Sequence, residues 1–344
     1  MKEAVSLKDI AKICQVSVST VSKALNNRSD ISHAKKEEIQ RVAKELNYVP
    51  NYMASTLKSK RTRVIGVLLS EGTGTNLLHE HFARILNSFK DTVEERGYVI
   101  MFLNASTSPN RLSYTEQCKY MTFDGLLILC ADYQLDEVQE LLQSDLPIAM
   151  IDHSVPKHIN IASNNFGDMT RLMQLIYDRG HRRIAYVHGQ NNEVTRARFD
   201  AYRKFMLEHR LPVPKEYLYT CPYRDNERAS ALTKAVLALP QRPTCILYPD
   251  DQTAVEGLNS LQEAGLRVPQ DISIAGYDGL AVINIVRPRI TTIHQDTVSM
   301  GIQAGNKLIS RIEFPETEPG TVTVTVDGMV EPGASVAMIN PRYN

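Results

Sequence analysis

The sequence predicts an α/β fold, parallel sheets flanked by helices, preceded by a small all-α head, and three observations predict it. From residue 63 to about 340, short apolar runs alternate with amphipathic stretches of helical length, the pattern of parallel strands joined by crossover helices. Before residue 50, apolar positions recur at helical spacing behind capping residues. Charge divides at nearly the same place: residues 1–62 carry twelve Lys or Arg against six Asp or Glu, and the rest of the 344 residues carry 27 against 33. A formal net charge of +0 therefore hides a basic head and an acidic body.

In the head, Ser6 precedes an apolar-periodic segment with Asp9 three positions on, so it caps a first helix over 7–14 whose opening turn gains a carboxylate. Gln15-Val16 makes a short break. Ser17 is a second capping residue, and a helix from 18 to about 26 sets Val21, Ala24 and Leu25 on one face. A third helix follows Ser32 and buries Ile39, Val42, Ala43 and Leu46. Three short helices with a tight turn between the first two suit a helix-turn-helix. The outward residues of the second, Val18, Ser19, Ser22 and Lys23, are small or basic groups able to enter a major groove about 12 Å wide. A small helical domain with solvated polar faces would show the same pattern, and pattern alone leaves both readings open.

Pro50 then ends the third helix, and Asn51 can cap a fresh one of two turns carrying Ala54 and Leu57. So short a helix is marginal in water. Lys58, Lys60, Arg61 and Arg63 follow, and a linker leucine at 57 remains the plainer account.

In the body, strands are expected from 63–69 onward, at 99–103, 125–129, 148–151, 184–187, 245–248 and 272–275, mostly separated by helical stretches. So many strands need two sheets, with ligands beyond the carboxyl ends of the strands. Enzyme signatures are missing. Gly72-Thr73-Gly74 lacks a third glycine at Leu77, and no P-loop lysine or G-x-S-x-G elbow is present. His79-Glu80-His81 lacks the i, i+4 spacing of a zinc helix and reads as a solvated stretch. No metal and no cofactor are expected. Cys14, Cys118, Cys130, Cys221 and Cys245 fall in no C-x-x-C spacing, and no run approaches the roughly 18 apolar residues of a membrane span. Free thiols, a reducing cytoplasm and no membrane partner are expected.

The stretch Leu7-Lys8-Asp9-Ile10-Ala11, then Val16-Ser17, then Thr20-Val21-Ser22-Lys23-Ala24-Leu25-Asn26 resembles the head signature of the lactose-repressor (LacI) family of bacterial transcription regulators. Pro50, Asn51, Ala54 and Leu57 match its P-N-x-x-A-x-x-L hinge. In the body, Gly180-His181-Arg182-Arg183-Ile184, Arg198 to Tyr202, Asp251-Gln252-Thr253-Ala254, Gly276-Tyr277-Asp278 and Pro288 to Ile293 resemble further family stretches. The resemblance implies that Val18, Ser19 and Lys23 contact base edges, and that Ser17, Thr20, Ser22 and Asn26 hold phosphates or the turn. It also implies that paired Leu57 side chains wedge into the minor groove. Gln15 stands where the family usually has Gly, and Ser55 where Arg is commoner.

The same resemblance implies a core of two periplasmic-binding-protein-like lobes behind the helix-turn-helix head, joined by three crossovers near 161–165, 288–293 and 317–323. The expected domains are 1–49, a hinge and linker at 50–62, and a core at 63–340. Lobe one takes about 63–162 and 292–318, and lobe two about 163–289 and 319–340. Effector contacts are expected from Asp152, Arg198, Asp250 and Asp278, with Ser70 to Asn76 lining the first lobe. Carboxylates accept from vicinal hydroxyls and an Arg fork donates to oxygens, so the effector is a sugar or sugar derivative. Asp250 replaces a common Asn, Ala201 a Gly, and Ser163-Asn164 lie near a frequent Asp-Asn, so effector identity does not carry over. The implied protein is a repressor, a homodimer on a pseudo-palindromic operator in double-stranded DNA, controlled allosterically from the cleft. A sugar-transport receptor, a cleft enzyme working through the Asp250-Asp251 pair, and a regulator answering to a protein coregulator stand beside it as alternatives.

Overall fold

A computed structural model of the chain describes residues 5–25, 27–28, 30–48, 61–70, 76–104, 111–317 and 319–339. Two units form, Met1–Thr62 and Arg63–Asn344. The first holds helices α1 (Leu7–Ile13), α2 (Val18–Leu25) and α3 (His33–Glu45). The Asp9 carboxylate accepts from the Ser6 amide at 2.8 Å and from its hydroxyl at 2.7 Å, closing the first turn of α1. Ile10, Cys14, Val21, Ala24, Ile39 and Val42 meet in one core. The break between α1 and α2 places Gln15 at φ 52°, a left-handed conformation that favours glycine.

The second unit begins with β1 (Val64–Leu69), α4 (Glu80–Glu95), β2 (Val99–Phe102), α5 (Tyr114–Met121), β3 (Gly125–Cys130), α6 (Asp136–Leu142), β4 (Ile148–Ile151) and β5 (Ile159–Ser163). It continues through α7 (Asn165–Asp178), β6 (Ile184–His188), α8 (Glu193–Glu208), β7 (Leu218–Thr220), α9 (Asn226–Leu237), β8 (Cys245–Leu247), α10 (Asp251–Glu263) and β9 (Ser273–Ala275). The last elements are β10 (Thr292–His294), α11 (Thr297–Glu313), β11 (Val322–Val326) and β12 (Met329–Glu331).

Two parallel sheets result: β11-β5-β4-β3-β1-β2 in lobe one and β7-β6-β8-β9 in lobe two. The apolar runs are continuous because both faces are covered. On β3, Leu127 and Leu129 pack toward α4 and α11, whereas Leu126 and Ile128 pack toward α5 and α6. Lobe two repeats the arrangement, with α7 and α8 on one face and α9 and α10 on the other. Where α4 crosses α11, a Cβ at Gly301 would come within 2.1 Å of Ser88 Oγ and 2.3 Å of the Ile85 carbonyl oxygen. Only glycine lets the two helices approach so closely.

Three crossovers join the lobes, at 163–165, 294–297 and 326–329, where the chain passes between sheets. The expected third crossing near 317–323, which put residues 319–340 in lobe two, is corrected. Val322–Val326 pairs in parallel with β5 and so belongs to lobe one. Its V-T-V-T-V alternation suits an edge strand with one face solvated, and the chain leaves that sheet only after Val326. The crossovers are stitched together. Asn164 Nδ2 donates to Asp327 Oδ1 at 2.6 Å, the Asn164 amide to the Val326 carbonyl at 2.8 Å, and the Gly328 amide to both oxygens of buried Asp168 at 3.1 Å. Beside them β10 and β12 form an antiparallel pair.

Candidate functional site

Two surfaces collect the residues singled out from the sequence. On the head, the face of α2 opposite the core presents Val18, Ser19 and Lys23 to solvent, with Ser22 half-buried. An exposed valine at the start of a polar helix face, 41% accessible, has no role in packing that core. Ser17 caps the helix: its Oγ accepts from the Thr20 amide at 3.0 Å and lies 2.9 Å from the Thr20 hydroxyl. Lys23 Nζ is paired with Asp30 at 2.5 Å, an exposed ion pair. Asn26, Asn51, Ala54 and Leu57 lie outside the described residues.

The second surface lies between the lobes, where strands deliver their carboxyl ends. Asp152 follows β4, Asp250 follows β8 and Asp278 follows β9, while Arg198 stands on α8. Asp152 and Asp278 both take positive φ, 51° and 105°. Such a conformation is strained for a residue with a Cβ and concentrates where ligands are bound. Asp152 Oδ1 accepts from the Ser163 amide at 2.7 Å, and the Ser163 hydroxyl donates to Gln295 Oε1 at 2.7 Å. Gln295 Nε2 in turn donates to Asp278 Oδ1 at 2.6 Å. Arg198 NH2 stands 3.8 Å from that same oxygen. Its Nε donates to Asn165 Oδ1 at 2.8 Å, its NH1 to the Pro249 carbonyl at 3.2 Å, and its guanidinium lies 3.5 Å from the Tyr277 ring centre. Asn165 Nδ2 donates to the Ser163 carbonyl at 3.2 Å, returning the network to lobe one.

Electrostatics follow from this burial. Burial pushes the Asp278 carboxyl up, while Arg198 and the Gln295 amide hold it down. Asp250 is pushed to about 6 by burial and by Asp278. Both Asp250 oxygens are engaged at the start of α10, Oδ1 by the Thr253 amide at 2.7 Å and Oδ2 by the Arg224 amide at 2.9 Å. Asp250 is therefore a helix cap, with no side-chain oxygen left over. Asp251, carried well above the ordinary carboxylate range by burial, takes the Thr292 hydroxyl at 2.6 Å and the Leu280 amide at 2.7 Å. Those bonds brace the loop that carries Asp278.

The structure does not bring Ser70 into this network. Its amide extends the sheet beside Cys130, and its side chain hydrogen-bonds to Tyr114. Asn76 opens a 3-10 turn, Asn76–Leu78; its side chain and residues 71–75 lie outside the described residues. Conversely, Asn165 and Gln295 escaped the reading of the residues, because no periodicity or spacing marks a polar residue at a crossover as a bridge.

The His79-Glu80-His81 stretch is the clearest correction. It was expected to be solvated, yet it starts α4 at the edge of the cleft. The Glu80 carboxylate accepts from the Ala281 amide of lobe two at 3.2 and 3.1 Å, and Arg84 NH1 donates to the Gly279 carbonyl at 3.1 Å. At the opposite edge, Glu193 Oε2 accepts from the Ser154 amide at 3.1 Å while Oε1 lies 3.0 Å from His153 Nδ1. His153 stacks on Tyr133, ring centres 3.6 Å apart. A cavity of about 270 Å³ opens beside this second contact, lined by Asp152, Ser163, Asn165, Phe166 and Glu193. Among the described residues, no group of His, Cys, Asp and Glu is placed to hold a metal, and no helix is long and apolar enough to cross a membrane.

Two stretches of the chain match known protein families. Residues 6–51 match the model of bacterial regulatory proteins of the lacI family, and residues 173–336 match that of a periplasmic binding protein-like domain. The chain is 28% identical over 331 residues to the probable HTH-type transcriptional repressor ExuR of Bacillus subtilis (strain 168), covering 95% of this chain and 97% of that one. Among solved structures, it is similar to the Lac repressor dimer bound to operator and the anti-inducer ONPF, with TM-score 0.81 and 24% identity over 97% of this chain and 100% of that one. It is also similar to a complex of the transcriptional regulator CelR with cellobiose, with TM-score 0.69 and 24% identity over 96% and 99%. At that identity the likeness to solved structures speaks for the fold.

Proposed function

The chain belongs to the lacI family of bacterial regulatory proteins, and from that premise we propose that this DNA-binding regulator is a repressor whose operator affinity is set by a sugar or sugar derivative held between its lobes. It acts as a homodimer, because two heads related by a two-fold axis read two matching half-sites of a pseudo-palindrome. Residues 1–49 form the reading head, 50–62 the hinge and 63–340 the sensing core. Val18, Ser19 and Lys23 touch base edges, while Ser17, Thr20, Ser22 and Asn26 hold the backbone. In the hinge, Asn51 and Ala54 carry Leu57 to the minor groove, where it pries a base step apart.

The observation that carries the effector reading is the hydrogen-bonded bridge Asp152–Ser163–Gln295–Asp278 beside Arg198. Groups from both lobes converge there, two of them on strained backbone, in a set able to accept from and donate to vicinal hydroxyls. A sugar entering the cleft exchanges these bonds for its own and so favours one angle between the lobes over another. Selection of bound duplexes from a random pool, followed by gel-shift titration with D-glucose, D-ribose and cellobiose, tests both halves. One enriched two-fold-symmetric site whose affinity changes with one of the sugars is expected. Equal affinity for random and selected duplexes would end the operator reading, and indifference to every sugar would end the effector reading. Leu57→Ala should weaken operator binding by more than about tenfold while the core stays folded, measured at fixed salt.

A further inference from the structure

We propose that Asp30 is a specificity-determining residue of the head: with Lys23 it reads one base pair of each half-site, the ammonium facing a keto oxygen and the carboxylate facing the amino group across the pair. This rests on the operator reading above and deepens it. Lys23 stands on the outward face of α2, and its Nζ donates to Asp30 Oδ2 at 2.5 Å. A lysine that reaches a base edge therefore carries this carboxylate to the same edge. The backbone after α2 brings the two together. Asn27 takes φ 54°, its amide donates to the Ala24 carbonyl at 3.2 Å, and the Arg28 amide donates to the Lys23 carbonyl at 3.0 Å. Helix α3 fastens that turn, Gln40 Nε2 donating to Asn27 Oδ1 at 3.0 Å and Lys36 Nζ to the Asn27 carbonyl at 3.3 Å.

Stability does not account for the pair. Its side chains are 48% and 53% exposed, and ion pairs in that setting contribute little to folding. Affinity does not account for it either, since an ionised acid beside the reading face is repelled by the phosphate backbone. Asp30 stays ionised, because the Lys23 ammonium holds its carboxyl below the usual range. A charge that helps neither folding nor overall affinity acts on discrimination, by penalising wrong partners. The groove supplies the matching chemistry. Within a base pair, the keto oxygen of guanine or thymine and the amino nitrogen opposite are bonded to each other, about 2.9 Å apart. Lys23 Nζ and Asp30 Oδ2 present the complementary donor and acceptor at a similar spacing. Reversing the base pair sets amino against ammonium and keto oxygen against carboxylate, which repels on both sides. An ammonium has three donors; with one on Asp30, two remain for O6 and N7 of guanine, so the pair selected is G·C with guanine facing Lys23.

Duplexes are selected from a random pool with the full-length protein and with its Lys23→Ala variant, and the position at which Lys23→Ala loses base preference is the one read by Lys23. Four duplexes carrying G·C, T·A, A·T or C·G there in both half-sites are then titrated, at fixed salt, with the unmodified protein and with Asp30→Ala and Asp30→Asn. The unmodified protein should prefer G·C over the reversed C·G by at least about tenfold. Asp30→Ala should bind all four duplexes more tightly and should lose most of that discrimination, because C·G gains more than G·C. Asp30→Asn, whose amide can donate to a keto oxygen, should flatten the ranking further. Circular dichroism should show the same helix content in all three proteins; should one variant not fold, the other decides alone. An equal gain on all four duplexes in either variant, or no change on any, overturns the inference while the operator reading survives. So does a selection in which Lys23→Ala changes no base preference. If the unmodified protein enriches no site, the operator reading falls and this inference falls with it.

Discussion

The head and the cleft solve opposite problems. The candidate reading face of α2 is made by one eight-residue helix, and its candidate contacts stand in solvent around a core they do not belong to. The cleft draws Asp152, Ser163, Arg198, Asp278 and Gln295 from widely separated stretches of sequence, and nearly every one is buried. Head contacts can be removed without disturbing their support. On the proposed reading cleft residues are support and contact at once, so a cleft substitution should register in stability as well as in response.

The largest expected effect tests that division. Arg198→Ala removes the cation beside buried Asp278, the donor to Asn165 and the plane over Tyr277. Breaking a buried charged network by deleting one partner costs about 3–5 kcal/mol. Urea unfolding of the core should show a loss of that order, together with loss of any effect of sugar on operator binding. A fully stable variant would mean that the cleft residues are as detachable as those of the head.

Next comes a pH-dependent effect confined to the cleft. Asp250, raised to about 6 by burial and Asp278, stabilises the fold as the protonated acid. That contribution is complete below the unfolded value near 3.8 and is lost as pH rises through about 6. The neutral His81, lowered to about 4 by burial, contributes with the opposite sign: its share is present above about 6.5 and is lost as pH falls toward 4. Asp250→Asn keeps a capping acceptor and removes only the first of these contributions. Relative to the unmodified protein, it should gain on the order of 2 kcal/mol between pH 4 and pH 7, read from urea midpoints at the two pH values.

On the head, Lys23→Ala should reduce operator affinity by roughly tenfold, the usual size of one base contact, with no change in thermal midpoint. A fall in the midpoint instead would show that the Lys23–Asp30 pair belongs to the scaffold. Smallest of all, Gln15→Gly should stabilise the head by no more than about 1 kcal/mol, because relief of the left-handed strain at φ 52° is partly offset by a more flexible unfolded chain.

Legibility in the sequence divides along the same line. The head could be read because its signals are local: Ser6 with Asp9, Ser17 before Val18, and Val21 and Ala24 at helical spacing. Long apolar runs such as 125–130 and 148–151 were legible for the same reason. The short strand β9, the polar edge strand β11 and the pair β10–β12 were harder, since three to five residues carry little pattern and pairing decides their fate. In the cleft, Arg198 and Asp278 were marked by family motifs. Gln295 and Asn165 were not, because the bonds they make depend on where three crossovers bring them. His81 was misread for a related reason, as its neighbours in the cleft lie far away along the chain.

The stitching of the crossovers has a mechanical corollary. With Asn164 bound to Asp327 and Val326, and Gly328 to Asp168, separate strands of chain behave as one pin through a door. Such a joint lets the halves swing but resists their sliding past each other. If a ligand is sensed between the lobes as proposed, its effect on the core is accordingly written as an angle, and substitutions that cut the pin should blur the response even where ligand affinity is intact.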